Sequence, residues 1–277
     1  MKLLFSTAIA AALIAALPAC SQQPAGNEAA ATEAAASLDA LNGTFKVDLA
    51  SLKFGGPPDE FALQGGSYSC ASCTPPLTLV ADGEFHAVAD RPYFDSMSVK
   101  DVDDKTVEIR RQKAGKDVSS TVITVSEDGN SLTYKFKDMT TPGQTVEGTT
   151  TARRVGPATA GAHAMSGQWK TDKIGDYSED ALNMVFQVAG DTVTSTSQGQ
   201  TYTATLGGPA VAIQNDPGGT TVKVERAGGG IKETYMRGGK DVGIATITPS
   251  ADGKSLSYSG SDPRDGRTTQ FTANKAG

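Results

Sequence analysis

One block of residues recurs in this chain at constant spacing, and it limits the fold more than any other feature. Gly115-Lys116-Asp117-Val118, Ile123, Thr124, Ser126, Asp128-Gly129, Ser131-Leu132 and Tyr134 return without a gap as Gly239-Lys240-Asp241-Val242, Ile247, Thr248, Ser250, Asp252-Gly253, Ser255-Leu256 and Tyr258, each number raised by 124. The chain is therefore a tandem duplication. Within each copy a β-branched alternating run passes through Asp-Gly into a second such run, the sequence form of two paired antiparallel strands. A length of 277 residues accommodates two copies, each large enough to bury a core of its own.

Thr, Ser, Gly, Val and Asp dominate, aromatics make up only 6%, and long apolar segments at helical spacing are missing, so the chain is expected to be all-β with many turns. A formal charge of −6 with dispersed basic residues excludes a nucleic-acid binder, which gathers Lys and Arg on one face. The same balance excludes a polybasic contact with anionic lipid, so any membrane attachment needs another device.

The first residues supply one. Lys2 precedes the apolar run Leu3 to Leu17, which is shorter than the roughly 20 apolar residues of a spanning helix and has the layout of a secretion signal. It ends in Leu17-Pro18-Ala19-Cys20, which resembles the lipobox of bacterial lipoproteins, matched at Leu17, Ala19 and Cys20. The resemblance implies removal of residues 1–19 and lipid attachment at Cys20. Ser21 in the next position resembles the outer-membrane sorting choice, which implies a lipid-anchored protein at the periplasmic face of the outer membrane. Residues 20–40 are Ala-rich and offer little to bury, so they are expected to form a tether. The part from Ser21 to Ser37 reaches at most about 60 Å when extended.

The first domain is expected over 41–156, a small-residue linker over 157–164, and the second domain over 165–277. Each copy opens alike, with Gly43-Thr44-Phe45-Lys46-Val47-Asp48 and, 124 later, Gly167-Gln168-Trp169-Lys170-Thr171-Asp172. This Gly-x-aromatic strand, followed by short strands and a basic closing residue, resembles the start of lipocalin-like (calycin) barrels. The resemblance implies two tandem antiparallel lipocalin-like barrels or half-open barrels. It also implies that a closing cation lies on the opening ring, Lys275 on Trp169 and Arg153 or Arg154 on Phe45. The bland alternative is that both aromatics are plain core residues. The closing strands, Thr145 to Arg153 and Thr268 to Lys275, carry Thr and Gln on both faces. That pattern suits a partly polar barrel wall or, as the simpler expectation, a wet edge.

Few residues look able to carry chemistry. An exported chain meets an oxidising compartment, and with Cys20 lipidated two thiols remain, so Cys70 and Cys73 are expected to form a structural disulfide. A redox-active Cys-x-x-Cys is the weaker alternative, because Thr74-Pro75-Pro76 opens no helix that would stabilise a thiolate. No cofactor or metal is expected: His86 and His163 form no ligand motif, and the Asp101, Asp103, Asp104 cluster lacks calcium-loop spacing. Gly228-Gly229-Gly230 reads as a turn. Neither His has a visible partner, and no nucleophile motif occurs, so no enzyme is expected. Tyr93 and Phe94, in a loop the second copy replaces, and Tyr202, on an alternating strand, are the candidates for contacting a ligand or partner. The leading expectation is a non-catalytic carrier of a small apolar or amphipathic molecule. The alternative is an interaction lipoprotein that presents loops and sheet edges to an envelope protein.

Overall fold

Runs that alternate apolar and polar residues bury one face as strands, and that is how most of the described chain is organised. The computed structural model describes residues 38–277, so the expected signal sequence, Cys20 and most of the expected tether lie outside the described residues. Two strands come first, β1 (Gly43–Val47) and β2 (Lys53–Gly55). Ten then form one sheet: β3 (Asp59–Gln64), β4 (Ser67–Cys70), β5 (Leu77–Val80), β6 (His86–Ala87), β7 (Ser96–Asp103), β8 (Thr106–Lys113), β9 (Lys116–Val125), β10 (Ser131–Asp138), β11 (Val146–Arg154) and β12 (Gly167–Tyr177). Nine more join β1 and β2 in the other: β13 (Asn183–Ala189), β14 (Thr192–Ser197), β15 (Gln200–Thr205), β16 (Val211–Ala212), β17 (Thr221–Ala227), β18 (Gly230–Arg237), β19 (Lys240–Pro249), β20 (Ser255–Ser261) and β21 (Thr268–Lys275).

Both sheets are antiparallel and curl into nearly closed barrels, as the sequence led us to expect. Barrel 1 runs β5-β4-β3-β12-β11-β10-β9-β8-β7-β6, and barrel 2 runs β15-β14-β13-β1-β21-β20-β19-β18-β17-β16 with β2 also on β21. The free ends of each sheet approach one another. In barrel 1 a bridge joins Asp82 to Lys100; in barrel 2 one joins Thr201 to Gln214, and the Gly207 amide donates to the Val224 carbonyl at 2.8 Å.

The barrels do not coincide with the sequence copies. The opening strand of the second copy, β12, lies in barrel 1 between β11 and β3, with Arg154 opposite Trp169 and Trp169 opposite Asp59. The opening strand of the first copy, β1, lies in barrel 2 between β13 and β21, with Phe45 opposite both Met184 and Lys275. Barrel 1 is thus a continuous segment inserted into barrel 2. The expected boundaries are corrected accordingly: residues 157–164 lie within barrel 1, in the β11 to β12 connection, and the chain passes between barrels at 56–58 and 178–182. Gly56 is required at the first crossing, where its φ is +103° and an added Cβ would lie 2.7 Å from the Arg267 Cα. The tether also ends earlier than expected, because Leu38 and Leu41 are buried in the barrel 2 core with Phe45 and Phe186.

Strand exchange crosses the expected ring and cation pairs as well. The Arg154 guanidinium lies 4.0 Å from the Trp169 ring centroid, and the Lys275 ammonium 5.6 Å from that of Phe45. Trp169 is fully buried and its indole N–H donates to the Met165 carbonyl at 2.8 Å. Arg154 is further fixed by donating to the carbonyls of Gly129, Ser166 and Ala164. Arg153 faces solvent. The Thr-rich closing strands β11 and β21 are paired on both sides, which corrects the expectation of wet edges. His163, within the expected linker and without a visible partner in the sequence, has a side chain only 5% exposed. Its Nδ1 accepts from the Met165 amide and its Nε2 donates to the Asp103 carbonyl, pinning the β11 to β12 connection onto the end of β7.

Two outcomes follow from this topology. Residues 57–178 expressed alone should fold cooperatively as barrel 1, whereas residues 183–277, which carry neither opening strand, should show no cooperative melt because barrel 2 then has nothing in the seat of β1; circular dichroism melts of the two fragments decide it. In the full chain, Arg154→Leu should cost about 2 kcal/mol through lost charge-assisted hydrogen bonds and ring contact, and the exposed Lys275→Leu well under about 1 kcal/mol. Denaturant titration followed by Trp169 fluorescence measures both.

Candidate functional site

Inward-facing side chains do not fill the two barrels. A continuous cavity of about 550 Å³ runs from the interior of barrel 1, across the junction, into barrel 2. Its wall is largely apolar, with Phe61, Met97, Ile109, Ile123 and Ile174 on the barrel 1 side and Met184, Ile244 and Phe271 on the barrel 2 side.

The three candidate contact residues all border this cavity, in different ways. Phe94, in a loop by sequence, is buried in the barrel 1 core, with the Arg111 guanidinium 5.4 Å from its ring centroid. Tyr93 is half-buried at the junction, where Arg237 of barrel 2 donates to its hydroxyl at 2.8 Å and lies 5.1 Å from its ring centroid. Gly218 allows this approach, since an added Cβ would meet the Tyr93 ring at 2.6 Å. Tyr202 is buried inside barrel 2.

Barrel 2 holds a buried acid that sequence inspection passed over. Glu233 is 2% exposed, and the hydroxyls of Tyr202 and Tyr235 donate to its two oxygens. Loss of hydration raises its pKa above the ordinary carboxyl value, outweighing the two hydrogen bonds, which favour the charged form. Burial, with the neighbouring carboxyl second, also raises Tyr202, Tyr235 and Tyr258, so these phenols stay neutral and the first two act as donors to Glu233. Tyr258 stacks on Phe271 at 4.5 Å between centroids.

Barrel 1 holds cations instead. Arg111, on β8, points inward between Met97 and Ser119 of the flanking strands, and Arg91 reaches the same cavity from the loop before β7. Burial lowers the pKa of both, and Arg91 is lowered further by the charge of Arg111. Tyr68 and Tyr134 stand on the same wall; burial pushes Tyr68 up to about 12 and raises Tyr134 well above the phenol range. Across the junction Asp59 of β3 pairs with Arg267 at 2.7 Å, and burial raises the Asp59 pKa against that opposing charge.

Cys70 and Cys73 are disulfide-bonded, as expected, and Cys70 is 1% exposed at the end of a strand. The bond closes the turn that leads to Thr74 and Pro75, whose carbonyls accept from the Arg91 guanidinium. The disulfide thus holds the loop that positions a cavity cation, and its buried strand-end sulfur lacks the setting of a redox thiolate. The other polar residues singled out from sequence lie off the cavity. His86 does have a partner, contrary to expectation, with Nε2 2.8 Å from Asp82 Oδ1 on the surface. Asp103 caps its own turn by accepting from the Lys105 amide, and Gly228 and Gly229 lie in the β17 to β18 turn. No group of three or more potential metal ligands occurs among the described residues.

No protein-family model matches this chain, and no curated protein does.

Glu233 makes stability pH-dependent in a definite direction. Its pKa is higher folded than unfolded, so it contributes stability below the unfolded value of about 4.5, and that contribution is lost as pH rises through the folded value. Glu233→Gln should therefore flatten the fall in stability as pH rises from about 4.5. Denaturation midpoints of both proteins across that range measure the difference.

Proposed function

We propose that this protein is a non-catalytic carrier that holds a small apolar or amphipathic molecule inside its paired barrels while a lipid on Cys20 tethers it at the periplasmic face of the outer membrane. The cavity carries the proposal. At about 550 Å³ it lies in the range that encloses small organic ligands, and its mostly apolar wall with a few polar groups is the usual composition of such sites. The resemblance of the Gly-x-aromatic openings to lipocalin-like barrels supports the same assignment, as does the cation placed on each opening ring.

The non-catalytic part is supported by the residues at the cavity. Neither His86 nor His163 borders it, and its Cys70 and Cys73 sulfurs are bonded to one another, so no described nucleophile there has an imidazole base within reach. The anchoring part is supported by Lys2, the apolar run to Leu17, and Leu17-Pro18-Ala19-Cys20.

Titration with the neutral fluorophore N-phenyl-1-naphthylamine tests the carrier assignment. Saturable binding with blue-shifted emission is expected. Thr121→Trp, which places a bulky ring on the cavity wall in barrel 1, should weaken it at least about tenfold with the melting temperature held. Absent or unsaturable binding by the wild-type protein would sink the proposal.

A further inference from the structure

Other arginines drawn into the fold are matched to acceptors. Arg154 donates to three carbonyls, and Arg264 forms a fork on Asp262 with contacts of 2.9 and 2.6 Å. Arg111 is not matched in this way. Its Nη1 makes one long contact with Ser119 Oγ at 3.4 Å, its Nε is covered by protein with no partner, and no carboxylate lies within ion-pair distance of it among the described residues. Carboxylates that border the cavity are engaged elsewhere, Asp59 with Arg267 and Asp262 with Arg264.

Three further donors at the same cavity are in the same condition. The Nε of Arg91, the hydroxyl of Tyr134 and the hydroxyl of Thr74 are each buried without a partner. A buried donor left unmatched costs about 1–3 kcal/mol, and more when charged. The two guanidiniums also act on one another as like charges. Such a set is tolerable where a group bearing negative charge and several lone pairs completes it.

We propose that barrel 1 is the head-group end of the cavity, where Arg111, Arg91, Tyr134 and Thr74 receive a compact oxyanion, a carboxylate or a phosphate, borne by an apolar chain that lies along the remaining wall. This rests on the carrier assignment and adds to it the charge and the orientation of the cargo. The second copy explains the orientation. At the positions 124 residues after Ile109 and Arg111 stand Glu233 and Tyr235, and the Glu233 carboxyl is already matched by two phenols. On the barrel 2 side the cavity arginines Arg237, Arg264 and Arg267 are already matched by Tyr93 and Thr220, by Asp262 and by Asp59, and Glu233 is a competing acid, so the negative head lies in barrel 1 and the tail points toward Tyr202 and Phe271.

Four amphiphiles with one twelve-carbon chain test this on the full-length protein, each kept below its micelle concentration and read by displacement of N-phenyl-1-naphthylamine: dodecanoate, dodecyl phosphate, dodecanol and dodecyltrimethylammonium. At least one of the two anions should bind about tenfold or more tighter than dodecanol, and the better of the two identifies the head group; the cation should bind weakest. Arg111→Met should bring anion and alcohol within about threefold of each other while leaving dodecanol affinity in place, and Tyr134→Phe should narrow the preference a few-fold. Equal wild-type affinity for anions and alcohol, or a preference that survives Arg111→Met, would overturn the inference and leave the carrier assignment standing. Binding of none of the four would overturn both. Should Arg111→Met not fold, the wild-type series and Arg91→Met carry the decision, with loss of preference in the latter the supporting result.

Discussion

The ladder between β11 and β12 sets the architecture. Each barrel needs one opening strand seated between its second strand and its closing strand, and the chain contains two that suit the seat, β1 and β12. The closing strand β11 ends at Arg154 and β12 begins at Gly167, so their pairing closes only a short connection, whereas pairing β11 with β1 would close a loop of about 100 residues. Loop-closure entropy favours the local choice, and local contacts form first. Once β12 holds that seat with Trp169 under the Arg154 guanidinium, β1 is left for barrel 2.

A duplicated barrel also has duplicated interior positions, and their divergence gives the two halves different chemistry. Residues two apart on a strand point to the same face, so Ile109 with Arg111 and Glu233 with Tyr235 occupy equivalent inward sites. Tyr134 and Tyr258 stay the same in both copies, yet Tyr258 packs on Phe271 while the Tyr134 hydroxyl has no partner. One scaffold thus encloses an unmatched cation at one end and a matched acid at the other.

Much of this was legible in the residues alone. The period-two runs and the Asp-Gly turns locate the repeated hairpins, and the closing strands expected over 145–153 and 268–275 are β11 and β21 to within a residue at each end. The export expected from residues 2–20 also pointed to the Cys70–Cys73 bond. Seat exchange was not legible, because both opening strands carry the same Gly-x-aromatic pattern and either fits either barrel; the only signal was the short run from Arg154 to Gly167. His163 showed no partner because small residues surround it in the sequence, and only the folded connection brings the Asp103 carbonyl to its ring. The interior charges were missed for another reason. Glu233 and Arg111 sit in runs where charged residues usually face water, and the signal was comparative: otherwise matching copies differ in kind at inward positions.

The insertion has a consequence for how the two barrels behave together. Two covalent crossings join them, at 56–58 and 178–182, and non-covalent ties lie at the junction: Asp59 on Arg267 near the first crossing, and Tyr93 on Arg237. A single tether lets two domains reorient freely, whereas two short crossings leave little more than a hinge about the line between them. Tyr93 and Arg237 resist that hinge, and both border the cavity where it passes from one barrel to the other. The continuity of the cavity is therefore fixed by the same strand exchange that sets the topology: because β1 sits in barrel 2 while β3 sits in barrel 1, the two interiors are held against each other, and a chain longer than either barrel has one uninterrupted place to lie.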